Sequence, residues 1–229
     1  MKIGIYIDGF NLYYGLFRHG PPECKQYKWL NPVLMGQELA FRLKLGGEVS
    51  RVRYFTAPSK RNPDDPGQST RQQMLVRAME TCPEVSIHWG QHIDTIKHGY
   101  LIDDESKAIQ RFSTREEKGS DVSLGVYLVR DAALNDVDVA ILVSNDSDLA
   151  DAVSVAVQDM GTPVYVASPQ PRRHISRKLQ ERASGVLVID ASCLAGCQFP
   201  NPVIDRKGRQ IHKPEAWKYP EAGSSDEES

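Results

Sequence analysis

The chain has 229 residues, a formal net charge of −2 and 40% hydrophobic residues, values typical of one globular domain with appendages and incompatible with wholesale disorder. No apolar run reaches the roughly 18 residues that span a bilayer, and the apolar start before Asp8 is too short for a secretory signal. The cysteines (Cys24, Cys82, Cys193 and Cys197) are too few for a disulfide framework. We therefore expect a protein of the reducing cytoplasm with no membrane partner.

The charge of the chain is unevenly distributed. The last nine residues, EAGSSDEES, hold four acids and no base, which leaves 28 basic against 26 acidic residues in the rest of the chain. This balance neither indicates nor excludes a nucleic-acid-binding protein, because a site built from carboxylates would offset a basic rim.

Short β-branched runs alternate with longer segments of helical period. The runs predict strands at 3–7, 49–55, 85–89, 137–144, 162–167 and 185–190. Between them the pattern predicts helices at about 32–45, 69–80, 120–134, 147–160 and 172–182. Because strands that alternate with helices form βαβ units, we predict an α/β fold, a three-layer α/β/α sandwich around a mostly parallel sheet.

Two segments depart from this alternation. Residues 91–118 contain two weak alternating runs on either side of DDES at 103–106, which predicts a β-hairpin near 91–114 that leaves the sheet. After Asp190 the periodic pattern fades and the chain ends in its acidic run. We therefore divide the chain into a domain at 1–195 and an irregular, acidic C-terminal tail at 196–229.

Acidic residues lie where predicted elements end or begin. Asp8 follows the first strand, Asp121 opens the helix at 120–134, and Asp146 and Asp148 follow the strand at 137–144. Each acid alone is equally typical of a helix cap or a first helical turn. Together they are expected to converge at one edge of the sheet, where carboxylates repel one another unless a cation neutralises them. Such oxygen donors suit Mg²⁺ or Mn²⁺.

Three motifs carry these acids: IYIDGFNLYYG (5–15), KGSDVSLGVYLVRDA (118–132) and ILVSNDSDLADAV (141–153). Over about residues 2–190 the set resembles the NYN domain, the LabA-like branch of the PIN-like nucleases. The resemblance implies a PIN-like α/β/α fold and a metal-dependent ribonuclease centre. One departure is Asn145, where the family usually has glycine, although asparagine tolerates the same positive-φ turn.

The resemblance implies a catalytic set made of Asp8, Asn11, Asp121, Asp146 and Asp148. We expect Asp8, Asp121 and Asp146 to bind the ion directly, and Asp148 to act on a second ion or around the first. Asn11 is expected to orient a water or a phosphate oxygen. A bound divalent ion lowers the pKa of a water and orients it for in-line attack on phosphorus, which is the chemistry of a phosphodiesterase.

Basic residues near this edge are candidates for binding RNA, which we expect to be single-stranded. The candidates are Arg115, Lys118, Arg172 and Arg173. A solvated helix surface explains the Arg172 cluster equally well, and a lysine at a helix start is more often merely solvated. By their helical spacing, the aromatic residues Tyr13, Tyr14 and Phe17 are predicted to lie in the core rather than to stack on bases.

Two other functions compete with the ribonuclease. A non-catalytic RNA-binding or regulatory module could use the same fold, but a degenerate site would usually have lost one of its acids. A phosphatase of the haloacid dehalogenase type needs a second Asp two residues after the first, and position 10 is Phe. The predicted fold is also compatible with a homodimer.

Overall fold

The computed structural model describes residues 1–59, 65–100 and 108–218, except for the side chain of Arg115. The described residues form ten strands: β1 (Lys2–Asp8), β2 (Glu48–Thr56), β3 (Val85–Trp89), β4 (Gln91–Gly99), β5 (Gln110–Lys118), β6 (Val139–Val143), β7 (Val164–Ser168), β8 (Gly185–Val188), β9 (Val203–Ile204) and β10 (Gln210–Ile211). Six of them make one parallel sheet in the order β3-β2-β1-β6-β7-β8. The predicted α/β fold is confirmed, and β1 and β6 are its central pair.

The α-helices of the described residues are α1 (Gly9–Leu12), α2 (Pro32–Arg42), α3 (Gln68–Met79), α4 (Ser120–Ala133), α5 (Ala150–Ser154), α6 (Arg177–Arg182) and α7 (Ala191–Leu194). Shorter π and 3₁₀ turns adjoin them at Tyr13–Arg18, Pro22–Tyr27, Ser147–Leu149, Val155–Asp159 and Glu215–Trp217. Within the described ranges, no helix is both long and apolar enough to cross a membrane.

Helices cover both faces of the sheet, which is why its central strands are apolar at consecutive positions. Ile3, Ile5 and Ile7 of β1 pack with α2, α3 and α7 in one core, whereas Tyr6 points into a second core with α4, α5 and α6. All five residues of β6 are buried. Strands enclosed in this way read as continuous hydrophobic runs rather than alternating ones.

Two predicted helices differ in extent from those observed. The segment at 147–160 is a 3₁₀ turn, α5 and a π turn in succession. The segment at 172–182 becomes helical only at Arg177, because the backbone before it is held elsewhere: Ser176 N donates to Asn145 Oδ1 at 2.7 Å. A short helix directly after β1, α1 with its π turn, had no counterpart in the predicted elements.

The predicted hairpin is present as β4 and β5. The two strands pair antiparallel from Gln91 opposite Lys118 to Gly99 opposite Gln110, in a sheet of their own. The DDES turn at 103–106 lies outside the described residues. Because β5 ends two residues before α4, the hairpin delivers its last residues directly to the start of that helix.

The chain after residue 196 is more ordered than we predicted. Phe199, Val203 and Ile211 are buried, β9 and β10 form a small antiparallel pair, and Trp217 packs on Trp29 with ring centroids 6.4 Å apart. The prediction of an irregular tail is therefore wrong for residues 197–217. These apolar residues are too widely spaced to show a period, yet each of them packs against the core of the domain. Residues 219–229 lie outside the described chain, and the boundary at 195 stays a prediction.

Candidate active site

The carboxyl ends of β1 and β6 bring the first and last acidic motifs together. The two strands are neighbours in register, with Ile7 opposite Val143. Asp8 and Ser144 follow these residues, and Ser144 Oγ donates a hydrogen bond to Asp8 Oδ2 at 3.0 Å. The parallel sheet thus places the first acid beside the loop of the last motif, as the sequence predicted.

Asp8 is a buried carboxylate with few groups to neutralise it. Its side chain is 5% exposed, and Oδ1 accepts from Asn11 N at 2.9 Å at the start of α1. Burial raises the pKa of Asp8 to about 6; the negative charges of Asp121 and Asp146 add to this, and the hydrogen bonds from Asn11 and Ser144 act against it. Hydrogen bonds therefore hold the Asp8 carboxylate in position, but no described cation neutralises its charge.

Gly9, at the start of α1, lets β2 pack closely beside this carboxylate. A Cβ on Gly9 would stand 2.7 Å from the carbonyl oxygen of Phe55 and 2.8 Å from the Tyr54 ring. Since real Cβ atoms do not approach that closely, glycine is required by the packing of β2 against the start of α1. The Asp-Gly pair of the first motif is explained by this contact.

Asp121 enters the site from the first turn of α4. Gly119 precedes the helix with φ +97°, and Glu117 Oε1 accepts from Ser120 Oγ at 2.7 Å and from Ser120 N at 3.2 Å. This cap sets the direction of the first turn. Asp121 is an exposed residue whose pKa is raised by partial desolvation and by the charges of Asp146, Glu117 and Asp148. Asp121 therefore faces the acids of the β6 loop.

Glu117 is an acid of this site that the sequence analysis did not identify. It ends β5 and contributes to the raised pKa of Asp121 while it caps α4. The sequence contains an indication of this acid, because the segment REEKGSD (115–121) has Glu117 four residues before Asp121. Since that acid belongs to the hairpin, its place beside the sheet edge depended on where the hairpin folds.

Asp146 and Asp148 lie on the turn after β6. Asp146 N donates to Ser144 Oγ at 3.1 Å, and Asp146 Oδ1 accepts from Asp148 N at 3.0 Å, which caps the 3₁₀ turn. Asp146 is partly exposed, and Asp148 is exposed at the rim. The charges of both act on Asp121, so the structure brings all four predicted acids to one edge.

Asn11 holds the β6 loop. Its Oδ1 accepts from Asn145 N and from Gln170 Nε2, each at 3.1 Å, which ties α1 to the loops after β6 and β7. Its Nδ2 forms no hydrogen bond with the described residues. The predicted orientation of a water or a phosphate oxygen by Asn11 would therefore depend on Nδ2.

Asn145 holds the loop that follows β7. Its Oδ1 accepts from Ser176 N at 2.7 Å, and its Nδ2 donates to Gln170 Oε1 at 3.1 Å and to His174 O at 3.2 Å. Asn145 does not adopt a positive φ, so the turn argument made for this residue is wrong. Its side-chain amide instead joins the loops after β6 and β7 by hydrogen bonds, which a glycine could not do.

The predicted RNA-binding cations are placed differently from one another. Arg172 and Arg173 are exposed in the turn that follows Gln170, at the same edge as the acids. Lys118 Nζ lies 2.8 Å from Glu116 Oε2, so it is engaged in an ion pair on the hairpin. Arg115 lies in β5 opposite Asp94, and its side chain is outside the described part.

The donors of this edge fit a hard divalent cation by chemistry. Asp8, Asp121 and Asp146 can supply oxygen ligands, and none of the three forms an ion pair with a described lysine or arginine, in agreement with the raised pKa values of Asp8 and Asp121. Among the described residues, no three carboxylate, histidine or cysteine side chains stand close enough to enclose an ion as they are placed.

Comparison with known proteins gives a family and two similar chains. The NYN domain family matches residues 2–190. A 6-hydroxy-3-succinoylpyridine 3-monooxygenase, HspA, of Pseudomonas putida is 29% identical over 251 aligned residues, which cover 95% of this chain and 75% of that protein. A crystal structure of a protein of unknown function from Vibrio parahaemolyticus is similar with a TM-score of 0.47 and 19% identity, over 82% of this chain and 93% of that one.

Proposed function

Because this chain belongs to the NYN domain family, we propose that it is a divalent-metal-dependent ribonuclease that hydrolyses phosphodiester bonds in single-stranded RNA. NYN domains belong to the PIN-like nuclease superfamily, and the parallel sheet with helices on both faces is consistent with that fold. Within the superfamily we place the chain in the LabA-like branch on its three motifs. We place its activity in the cytoplasm because the described structure contains four free cysteines.

One observation carries this proposal: carboxylates from three separate elements converge without a compensating basic side chain among the described residues. Desolvation and the charge of the neighbouring acids raise the pKa values of both Asp8 and Asp121. A fold gains no stability from such a cluster, because each ionised neighbour disfavours the next. Perturbed groups arranged in this way are typical of sites whose charge is used by a ligand.

The residues that would hold Mg²⁺ or Mn²⁺ are Asp8, Asp121 and Asp146. When bound, such an ion supplies an acidified water and stabilises the charge that develops at phosphorus. Asp148 and Glu117 add negative charge beside these acids, where they could help to hold a second ion. Asn11 Nδ2 can donate to a phosphate oxygen while Oδ1 keeps the β6 loop in place.

Substrate binding would depend on the exposed cations of the same edge. Arg172 and Arg173 would contact phosphates directly, since neither forms a described ion pair with another described residue. Lys118 would first have to exchange Glu116 for a phosphate. We therefore assign the larger share of backbone binding to the turn after β7, with Lys118 and Arg115 contributing from the hairpin.

A second candidate is a non-catalytic RNA-binding module on the same fold. The observation in its favour is that both carboxylate oxygens of Asp8 already accept hydrogen bonds within the chain. Such a module would bind RNA through the same cations without cleaving it.

The deciding experiment is hydrolysis of labelled single-stranded RNA by wild type and Asp121→Asn, with saturating Mn²⁺ and with chelator. The amide keeps the shape of the side chain and removes one charge from the ion's ligands, so we expect at least a hundredfold loss of rate, while the melting temperature in chelator is not lowered. Asp159→Asn, at an exposed acid that ends the π turn Val155–Asp159, is the matched control.

The possible outcomes separate the two candidates. A wild type that binds RNA but cleaves none under Mg²⁺ or Mn²⁺ favours the binding module. An Asp121→Asn variant that cleaves as fast as wild type removes Asp121 from the catalytic set. Low salt is needed throughout, because weakened phosphate binding would otherwise imitate lost chemistry.

A further inference from the structure

A cleft of about 830 Å³ opens next to the acidic edge, on the β2 side of Asp8. Gly9 and Phe10, the two residues that follow Asp8, belong to its wall, so the cleft and the acids share the start of α1. The end of β2, the turns at 13–18 and 22–27, and α3 supply most of the rest. We call it the side cleft.

The side cleft carries an excess of positive charge. Among the described residues, Arg18, Lys25, Lys28 and Arg71 line it, against one lining carboxylate, Asp65, which pairs with Arg71. Within the described part of the chain, Arg18, Lys25 and Lys28 form no ion pair. Burial lowers the pKa of Lys28, and the charges of Arg71, Lys25 and Arg18 lower it further. Cations that repel one another in a half-buried cleft would be stabilised by an anion.

The same cleft presents aromatic surface. Phe10, Tyr13, Tyr14 and Trp217 line it. Tyr14 is 45% exposed, although its ring stacks on that of Phe10 (17°, centroids 6.4 Å apart) and on that of His19 (19°, 5.8 Å), so a planar ligand would add to an existing stack of rings. The prediction that Tyr13, Tyr14 and Phe17 all lie in the core is therefore correct for Phe17 and wrong for Tyr14. An exposed ring beside cations offers a planar ligand a stacking surface.

One polar group on the wall has its hydrogen-bonding capacity unused. His92 Nδ1 is buried and has no hydrogen-bond partner among the described residues, while its ring packs edge-on against Phe10 at 6.4 Å. Buried polar atoms are normally paired, so an unpaired one in a cleft wall is a candidate contact for a ligand. His92 Nδ1 would form a hydrogen bond with the edge of a planar ring that stacks near Tyr14.

From these three features we propose that the side cleft binds one nucleotide of the RNA substrate, an inference that rests on the proposed ribonuclease function. The base lies against Tyr14 and reaches His92 with its edge, and the phosphate lies among Arg18, Lys25 and Lys28. The neighbouring phosphodiester is thereby directed past Phe10 to the acids. Since a base paired within a duplex cannot enter such a cleft, the subsite selects single-stranded RNA.

The test measures binding of mononucleotides to the full chain by calorimetry, in chelator so that hydrolysis plays no part. Uridine 5′-monophosphate and adenosine 5′-monophosphate are compared with uridine, which lacks the phosphate, and ribose 5-phosphate, which lacks the base. We expect each mononucleotide to bind at least tenfold more tightly than either fragment. Binding no tighter than that of ribose 5-phosphate would overturn the proposal.

Two variants assign the two halves of the ligand. Lys28→Met removes one cation at similar length and should weaken binding of uridine 5′-monophosphate and of ribose 5-phosphate about tenfold, while binding of uridine is unchanged. Tyr14→Ala should weaken the mononucleotide about tenfold and leave ribose 5-phosphate unchanged. Lys2→Met is the matched control, because Lys2 is an exposed lysine at the opposite end of β1. Melting temperatures establish that each variant is folded.

Other outcomes distinguish this proposal from the proposed function. If Asp121→Asn abolishes hydrolysis but binds uridine 5′-monophosphate like wild type, both proposals are supported. If wild type binds the mononucleotide and cleaves no RNA, the ribonuclease fails and the subsite stands. If wild type cleaves RNA and Lys28→Met has no effect on binding, the subsite alone fails. Tighter binding of nicotinate than of any mononucleotide would identify the cleft as a site for small aromatic acids. That result would also overturn the proposed nucleotide subsite.

Discussion

Two buried aspartates of this molecule have opposite electrostatic environments. Asp8 is 5% exposed and Asp131 is 0% exposed. The pKa of Asp8 is raised to about 6, chiefly by burial. Burial would also raise the pKa of Asp131, but hydrogen bonds from Arg53, Arg51 and Tyr6 reverse the effect and lower it. Burial of the same side chain therefore has opposite consequences, depending on what the fold places around it.

The surroundings of Asp131 are those of a structural ion pair. Arg53 Nε lies 2.6 Å from Asp131 Oδ2 and Arg53 Nη2 3.0 Å from Oδ1, while Tyr6 OH donates to Oδ2 at 2.8 Å. Arg51 Nη1 adds a contact of 2.9 Å to Oδ1. These bonds join α4 to β1 and β2. Asp121 lies in the first turn of the same helix. Asp131, whose charge is neutralised, therefore helps to position Asp121, whose charge is not.

The largest expected effect is on stability, in Asp131→Asn. The amide would leave the guanidinium group of Arg53 without its buried counter-charge, whereas Arg51 keeps Asp136 at 2.9 Å; removing one partner of such a buried pair costs about 3–5 kcal/mol. Urea unfolding of the variant should show a loss of that order. Asp138→Asn, an exposed acid that accepts one bond from Lys2 N, is the control. A loss below about 1 kcal/mol would mean that Asp131 does not hold α4 in place.

The opposite sign is expected for Asp8→Asn in chelator at pH 7. Because the folded pKa of Asp8 lies above its unfolded value of about 3.9, wild type is penalised progressively as pH rises from about 4 to 6. Over about two pKa units the penalty is about 3 kcal/mol, at 1.36 kcal/mol per unit. The variant should therefore be more stable than wild type at pH 7 and lose this advantage by pH 4.

The measurement is the free energy of unfolding of both proteins between pH 4 and 7. Equal pH dependence in the two proteins would show that Asp8 is compensated after all. Added Mn²⁺ should raise the melting temperature of wild type and much less that of Asp8→Asn, because binding to the folded state alone stabilises it.

The smallest of these effects is expected for Asn145→Ala, which leaves every charge in place. Without its amide, Ser176 N and Gln170 Oε1 lose their partner, and the loops after β6 and β7 are no longer joined there. We expect about a tenfold lower rate of RNA hydrolysis at saturating Mn²⁺, since displaced catalytic groups lose rate steeply. Gln158→Ala, on an exposed surface, is the control. An unchanged rate would show that the acids hold their positions without these hydrogen bonds.

Much of the fold could be predicted because it depends on local periodicity. The β-branched runs and the helical segments between them require two covered faces of a sheet, and parallel strands then bring Asp8 and Asp146 to one edge. The start of α4 could be predicted as well, since Gly119 and Ser120 are signals of a helix terminus next to Asp121.

The remaining features depend on contacts between distant segments, which no local pattern records. The side chain of Asn145 reaches Ser176 across 31 residues, and Tyr6 reaches Asp131 across 125. Residues 197–217 are apolar at scattered positions, and Trp217 joins the wall of the side cleft only because the chain folds back onto Trp29. A pattern of period two or 3.6 cannot reveal a segment that packs by single residues.

The sequence by itself determined the alternation of strands and helices and the identity of the acids, because both follow from the order of residues along the chain. The tertiary structure decided which carboxylates are compensated. Asp131 and Asp8 are both buried, and the pKa of Asp131 is lowered because Arg53 and Arg51 of β2 and Tyr6 of β1 bond to it, whereas burial raises the pKa of Asp8 and the charges of Asp121 and Asp146 add to that rise. Coulomb interactions depend on distance in space rather than along the chain, so only the fold could assign one aspartate to stability and the other to the proposed metal site.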